Sequence, residues 1–187
     1  MITIVSGLPR SGTSLMMQML AAGGMPVLSD GERQPDVDNP RGYLEWERIK
    51  QLAKDPACIA QAEGKVVKII SLLLLSLPAD HEYRVIFMER PLQEVLASQD
   101  VMRRHRGTDK AGVDAALVAS GFEKNLRSVN AWLDSKSYVK TLRVSYHEVL
   151  RDAETAANRI SQFLGTGLNV NAMARQVDAN LYRNRAG

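Results

Sequence analysis

Apolar residues follow two kinds of pattern along this chain, and the two alternate. Short runs rich in β-branched residues read as buried strands: Ile2-Thr3-Ile4-Val5, Lys65-Val66-Val67-Lys68-Ile69-Ile70, Tyr83-Arg84-Val85-Ile86-Phe87-Met88 and Val139-Lys140-Thr141-Leu142-Arg143-Val144. Between them, apolar positions recur at the spacing of a helix face. Leu15, Met16, Met19 and Leu20 mark a helix from Thr13-Ser14 to about Gly23, closed by Gly23-Gly24. Leu44, Ile49 and Leu52 predict a helix over 43–54, with Glu45 in its first turn. Residues 72–77 continue the second strand's apolar run up to Pro78. Leu92, Val95 and Leu96 form the inner face of a helix entered through Pro91, a residue suited to a first turn. Val113, Leu117, Phe122, Leu126 and Val129 describe a long amphipathic helix over 112–133, with Trp132 as core at its end. A last helix spans 154–163 and runs out at Leu164-Gly165. Residues 25–28 read as a short strand or an extended entry into a loop. The polar stretch 29–42 holds Pro35 and Pro40 and has no periodicity.

Strand and helix alternate four times. That predicts an α/β fold, three-layer and doubly wound, with a mostly parallel sheet flanked by helices in one domain over 1–187. Composition fits such a domain: 187 residues, 45% apolar and 24% charged. The net charge of +3 suits a phosphate-bearing ligand but is too small to indicate nucleic acid. One cysteine rules out an internal disulfide framework, and His81, His105 and His147 lack metal-ligand spacing. The chain enters its first strand without a basic leader, and its longest apolar run, 69–77, is too short to span a bilayer. The expectation is a cytoplasmic protein with no membrane span.

The candidate chemistry starts at the first strand-to-helix turn, Gly7-Leu8-Pro9-Arg10-Ser11-Gly12-Thr13-Ser14. Glycine-rich backbone at a helix N-terminus offers N–H donors and a positive dipole end to an anion. The spacing is that of a nucleotide-binding P-loop, G-x-x-x-x-G-K-[ST], but Thr13 stands at the lysine position and the cation, Arg10, sits inside the loop. Without the lysine that reaches the β- and γ-phosphates, triphosphate hydrolysis loses its main cation.

Leu8-Pro9-Arg10-Ser11-Gly12-Thr13-Ser14 resembles the 5′-phosphosulfate loop of sulfotransferases that use 3′-phosphoadenosine 5′-phosphosulfate (PAPS), where Lys or Arg precedes Ser-Gly-Thr-[Ser/Thr]. Arg90-Pro91, with Ser98 eight residues after the arginine, resembles that family's 3′-phosphate segment. Here Pro91 follows the arginine directly, where the family often has an acidic residue. Arg supplies a bidentate fork and Ser a hydroxyl donor. Ser145-Tyr146-His147-Glu148-Val149-Leu150 followed by a helix ending Phe163-Leu164-Gly165 resembles a late segment of the same family, with His147 where an acid is common.

The resemblance implies sulfuryl transfer from PAPS to a hydroxyl or amine on a small molecule, glycan or peptide, without a metal. It implies that Pro9, Arg10, Ser11, Gly12, Thr13, Ser14, Arg90 and Ser98 bind the nucleotide and that Arg10 neutralises the leaving group. The family commonly takes the acceptor proton with a Glu or His; Glu45 is the first candidate and Glu32 the second. Glu45 also has a purely structural reading, a carboxylate at the positive end of a helix. Lys68, at a strand's C-terminal end, is a candidate contact to the transferring group or a surface lysine. The basic run 102–110 is a solvated helix end or an aid to an anionic ligand. The family's closing Arg-Lys-Gly segment is absent; Tyr182-Arg183-Asn184-Arg185 is its possible substitute or a basic tail. The alternatives are a P-loop NTPase or small-molecule kinase using ATP and magnesium, and a non-catalytic nucleotide-binding module.

Overall fold

Strands with few polar residues must be covered on both faces, and the two central ones, at 2–7 and 83–89, are. The computed structural model describes residues 1–108 and 115–178. β1 (Ile2–Gly7), β2 (Val66–Lys68), β3 (Tyr83–Glu89) and β4 (Val139–Ser145) form one sheet in the order β2-β1-β3-β4. All neighbours are parallel, in registers that include Val5↔Lys68, Gly7↔Met88 and Glu89↔Ser145. Every residue of β1 is buried, as expected for a central parallel strand.

Alternate strand residues feed two separate cores. Ile2, Ile4, Val67, Val85 and Phe87 face a cluster completed by Ile49, Leu52 and Ile59, and by Val129 and Leu133 of α3 (Ala115–Ser135). Val5, Val66, Ile86 and Met88 face the other cluster. There they meet α1 (Thr13–Ala22) through Met16, Met19 and Leu20, α4 (Tyr146–Arg151) through Val149, α5 (Ala153–Leu164) through Ile160, and α6 (Val170–Ala174) through Met173. Each such fully buried aliphatic side chain contributes about 1.5–3 kcal/mol relative to exposure. The sheet with helices on both faces is the predicted three-layer α/β architecture. α2 (Leu92–His105) leaves β3 through Pro91, its N-cap residue.

Three segments depart from expectation. Residues 43–54 do not form an α-helix. Leu44 has φ 49°, Trp46 is extended, and only Glu47–Gln51 coil, as a 3₁₀ helix. Glu45 therefore lies before the helix, not in its first turn, and the dipole account of it fails. Trp46, Ile49 and Leu52 are buried at a spacing of three, the period at which 3₁₀ side chains eclipse. The apolar residues 72–77 likewise form a 3₁₀ helix, Ser71–Ser76, burying Leu74 and exposing Leu72 and Leu75. β2 is three residues long, shorter than its apolar run. Leu117 is exposed rather than on an inner face. Lys110, Gly112, Val113 and the 182–185 segment with Arg183 and Arg185 lie outside the described residues. Among those described, no helix is long and apolar enough to cross a membrane.

The strand order positions the site. The chain moves from β1 to β2 on one side, then returns past β1 to β3 and β4. Connections after β1 and β3 consequently diverge at their C-terminal ends and leave a crevice, the usual ligand position in open α/β sheets.

Candidate functional site

The turn after β1 lies tight against the adjacent strand. A Cβ on Gly7 would stand 2.6 Å from the Met88 carbonyl oxygen on the adjacent strand. Arg10 has φ 72°, the left-handed region, and Gly12 has φ 96° as the N-cap of α1. Ser11 is buried and its hydroxyl donates to the Leu8 carbonyl at 2.7 Å, closing the turn on itself. No side chain caps the start of α1, and Gly12, Thr13, Ser14 and Leu15 line a cavity of about 540 Å³. An uncapped helix start opening on a cavity is an anion site in waiting.

Tyr146, at the β4–α4 junction, packs on Gly12, so a Cβ there would overlap the ring. Gly24 shares the φ of 96° but faces open space. Gly12→Ala is expected to cost about 2 kcal/mol or more, combining strain with overlap, whereas Gly24→Ala costs about 1 kcal/mol from strain alone. Urea unfolding checks this; equal losses would contradict the Tyr146 packing.

Arg90 emerges where β3 gives way to α2. Its guanidinium turns toward the glycine turn: Nη1 donates to the Arg10 carbonyl at 3.1 Å. Nε donates to Glu94 at 2.9 Å, and the guanidinium lies 4.8 Å from the centre of the Tyr146 ring. Glu94 is 3% exposed and also faces His147 Nε2 at 3.1 Å. This pairing orients Arg90. Sequence reasoning missed Glu94, although its position four residues after Arg90 on a helix entrance was a readable signal. His147 contacts Glu94 and is not among the cavity residues.

The Arg10 side chain reaches across the same cavity. Its Nε donates to the Ser98 hydroxyl at 2.9 Å, and its Nη2 to the Asp38 carbonyl at 3.5 Å. Ser98 is buried two turns into α2. Pro9, Arg10, Gly12, Thr13, Ser14, Arg90 and Ser98, the sequence-derived binding residues other than Ser11, all line this one cavity.

On the β2 side the cavity holds Glu45 and Lys68. Lys68 is buried, not a surface lysine. Its Nζ donates to Glu45 Oε1 at 2.9 Å, the Tyr43 carbonyl at 3.0 Å and the Ser14 hydroxyl at 3.1 Å. Arg33 Nη1 donates to both Glu45 oxygens, at 2.8 and 3.0 Å, and its guanidinium lies over the Tyr43 ring. Burial alone would raise the Glu45 pKa, but Lys68 and Arg33 outweigh it and hold the carboxyl below its ordinary value of 4.5. Burial pushes the Lys68 pKa down; Glu45 opposes this, and Arg33 and Arg10 add to it. The second carboxylate candidate, Glu32, is exposed and is not among the lining residues.

The 29–42 loop contributes Arg33, Asp38, Asn39 and Pro40 to the cavity wall. It is tied to the end of α2: Asp38 meets His105 at 2.8 Å, and Arg106 donates to Asp36 at 3.2 Å. The basic run thus spends these two side chains on holding a loop.

The sequence matches no protein-family profile and no curated protein. Solved structures do match. A sulfotransferase domain from the Synechococcus PCC 7002 olefin synthase superposes with a TM-score of 0.61 at 15% identity, over 97% of this chain and 78% of that one. A sulfotransferase domain from the curacin biosynthetic pathway gives 0.51 at 16% identity, over 88% and 74%. The chain has the α/β fold of these bacterial sulfotransferase domains.

Proposed function

We propose that this protein transfers a sulfuryl group from PAPS to a hydroxyl or amine acceptor and releases 3′-phosphoadenosine 5′-phosphate (PAP). The observation that carries this reading is convergence. The glycine turn after β1 and Arg90 after β3 open on one cavity and are joined by the 3.1 Å bond from Arg90 to the Arg10 carbonyl. Two anion-binding elements in one cavity suit a nucleotide phosphorylated at both ends of its ribose. The likeness in fold to sulfotransferase domains supports the same choice.

In this account, backbone N–H groups over 10–14 hold the 5′-phosphosulfate, the Thr13 and Ser14 hydroxyls add donors, and Pro9 and Ser11 fix the turn. Arg90 and Ser98 hold the 3′-phosphate. Arg10 neutralises charge on the bridging oxygen. The acceptor oxygen attacks sulfur in line; a new O–S bond forms while the bond to the bridging oxygen breaks, and PAP leaves with the electron pair. Glu45 takes the acceptor's proton, and Lys68 contacts the transferring group. Glu45 is a weak base, but O–S bond formation makes the hydroxyl proton strongly acidic, so a weak base suffices late in the step.

Because its pKa is depressed, Glu45 stays ionised through neutral pH. Its contribution to stability is present above the unfolded carboxylate's pKa and is lost as pH falls through the folded one. The acidic limb of the rate profile is therefore expected below pH 4.5, the group's ordinary value. Glu45→Gln should cut turnover by about 10²–10⁴-fold. An acidic limb near pH 6, or full activity in the variant, would remove Glu45 from the reaction.

Calorimetry comparing PAP with ATP·Mg²⁺ tests the assignment. PAP should bind more tightly. Tighter binding of ATP·Mg²⁺ would replace this reading with a nucleoside-triphosphate enzyme.

A further inference from the structure

The two halves of the cavity differ in chemistry. Arg90 and Ser98 mark the β3 side, and Glu45 and Lys68 mark the β2 side. On the β2 side, the residues that follow this ion pair in the chain are apolar and also line the cavity. Trp46 and Ile49 follow Glu45; Ile69, Ile70 and Leu73 follow Lys68. Trp46, Ile49 and Ile69 are at least nine-tenths buried, whereas Ile70 is 47% exposed. The 3₁₀ segment that follows it, Ser71–Ser76, exposes Leu72 and Leu75. Burial of the inner residues is ordinary core formation. Exposure of three large aliphatic side chains within six residues of a cavity wall has no packing role among the described contacts.

We infer that the acceptor is a neutral alcohol with an extended apolar body, whose hydroxyl meets Glu45 and whose chain runs along Trp46, Ile49, Ile69 and Leu73 to leave past Ile70. The inference rests on the sulfuryl-transfer reading and adds the substrate class to it. Charge complementarity supports the choice. The Glu45 carboxylate is already bonded to Lys68 and Arg33, and Lys50, at the rim, is bonded to Glu47. A charged acceptor would be desolvated against this wall without a counter-charge, and a sugar would leave several hydroxyls facing hydrocarbon. An alkyl or aryl body instead removes apolar surface from water with each added carbon.

The test uses the full chain saturated with PAP and reads binding by intrinsic tryptophan fluorescence, since Trp46 lies in the wall. The probes are straight-chain primary alcohols from butanol to octanol, with methyl glucoside and N-acetylserinamide as polar hydroxyl compounds. Affinity should rise about three- to four-fold per methylene, and both polar compounds should bind more weakly than octanol. Ile70→Asp should remove most of the gain with chain length while PAP affinity is unchanged. Affinity that is flat with chain length, a polar compound that binds more tightly than octanol, or a slope that survives Ile70→Asp would overturn the inference. Calorimetry separates the two levels. Absence of PAP binding overturns the sulfuryl-transfer reading, whereas PAP binding with a flat chain-length series overturns only the acceptor class.

Discussion

Arg10→Ala lowers transfer from PAPS by about two to three orders of magnitude and leaves the fold intact. That magnitude is typical for losing one preorganised group aimed at developing charge. Arg10 is preorganised in two ways. Its backbone sits at φ 72°, fixed by the closed turn, and its Nε is held by Ser98 at 2.9 Å. The guanidinium therefore needs little reorganisation as the bridging oxygen gains charge. The side chain lines the cavity and is only half-buried, so its removal opens no core void. Arg10→Lys keeps the charge but loses the planar fork, and an intermediate rate is expected. PAPS turnover and thermal midpoint together check this. Wild-type turnover in the alanine variant would take Arg10 out of the mechanism.

Arg90→Ala weakens PAP binding by about 2–5 kcal/mol, roughly 30- to 5,000-fold in affinity. It also destabilises the fold, by about 3–5 kcal/mol, because it leaves the deeply buried Glu94 carboxylate without the guanidinium beside it. Two effects in one variant would be ambiguous, and Glu94 offers a way to separate them. Adding Glu94→Gln to Arg90→Ala neutralises the buried carboxylate, so stability should recover in part while PAP affinity does not. Recovery of both would assign Arg90 a structural role only. Urea unfolding and PAP calorimetry on the wild type and these two variants supply the readout.

Much of this arrangement was legible in the chain. The strand runs at 2–5 and 83–88 stood out because central parallel strands covered on both faces lose the polar alternation of a half-exposed sheet; the edge run 139–144, with Lys140 and Arg143, was legible from its β-branched residues instead. The glycine turn was legible for a related reason. Gly7 and Gly12 sit where neighbouring atoms leave no room for a Cβ, so the spacing reflects geometry. The meeting of Arg90 with that turn could only be expected, since it depends on β3 lying directly beside β1, and strand order leaves no mark in local sequence. The 43–54 segment was misread for a physical reason. Leu44 was counted toward a helix face, yet the chain turns at Gly42 and Leu44, both at positive φ, so that the Tyr43 carbonyl and the Glu45 carboxylate meet Lys68. The three-residue spacing of Trp46, Ile49 and Leu52 was the available signal for a 3₁₀ segment. Glu94 was overlooked because a carboxylate in a first helical turn is usually explained by the dipole; its burial against Arg90 appears only once β3 and α2 are in place.

The central claim is that one ribonucleotide bridges the turn after β1 and the arginine after β3. The most direct measurement is the affinity of the wild-type protein for PAP against adenosine 5′-monophosphate, which lacks only the 3′-phosphate. PAP is expected to bind at least about a hundred-fold more tightly, consistent with a charge-assisted, partly buried phosphate contact. Equal affinities would mean that nothing in the cavity reads the second phosphate, and would contradict a nucleotide bridging the two elements.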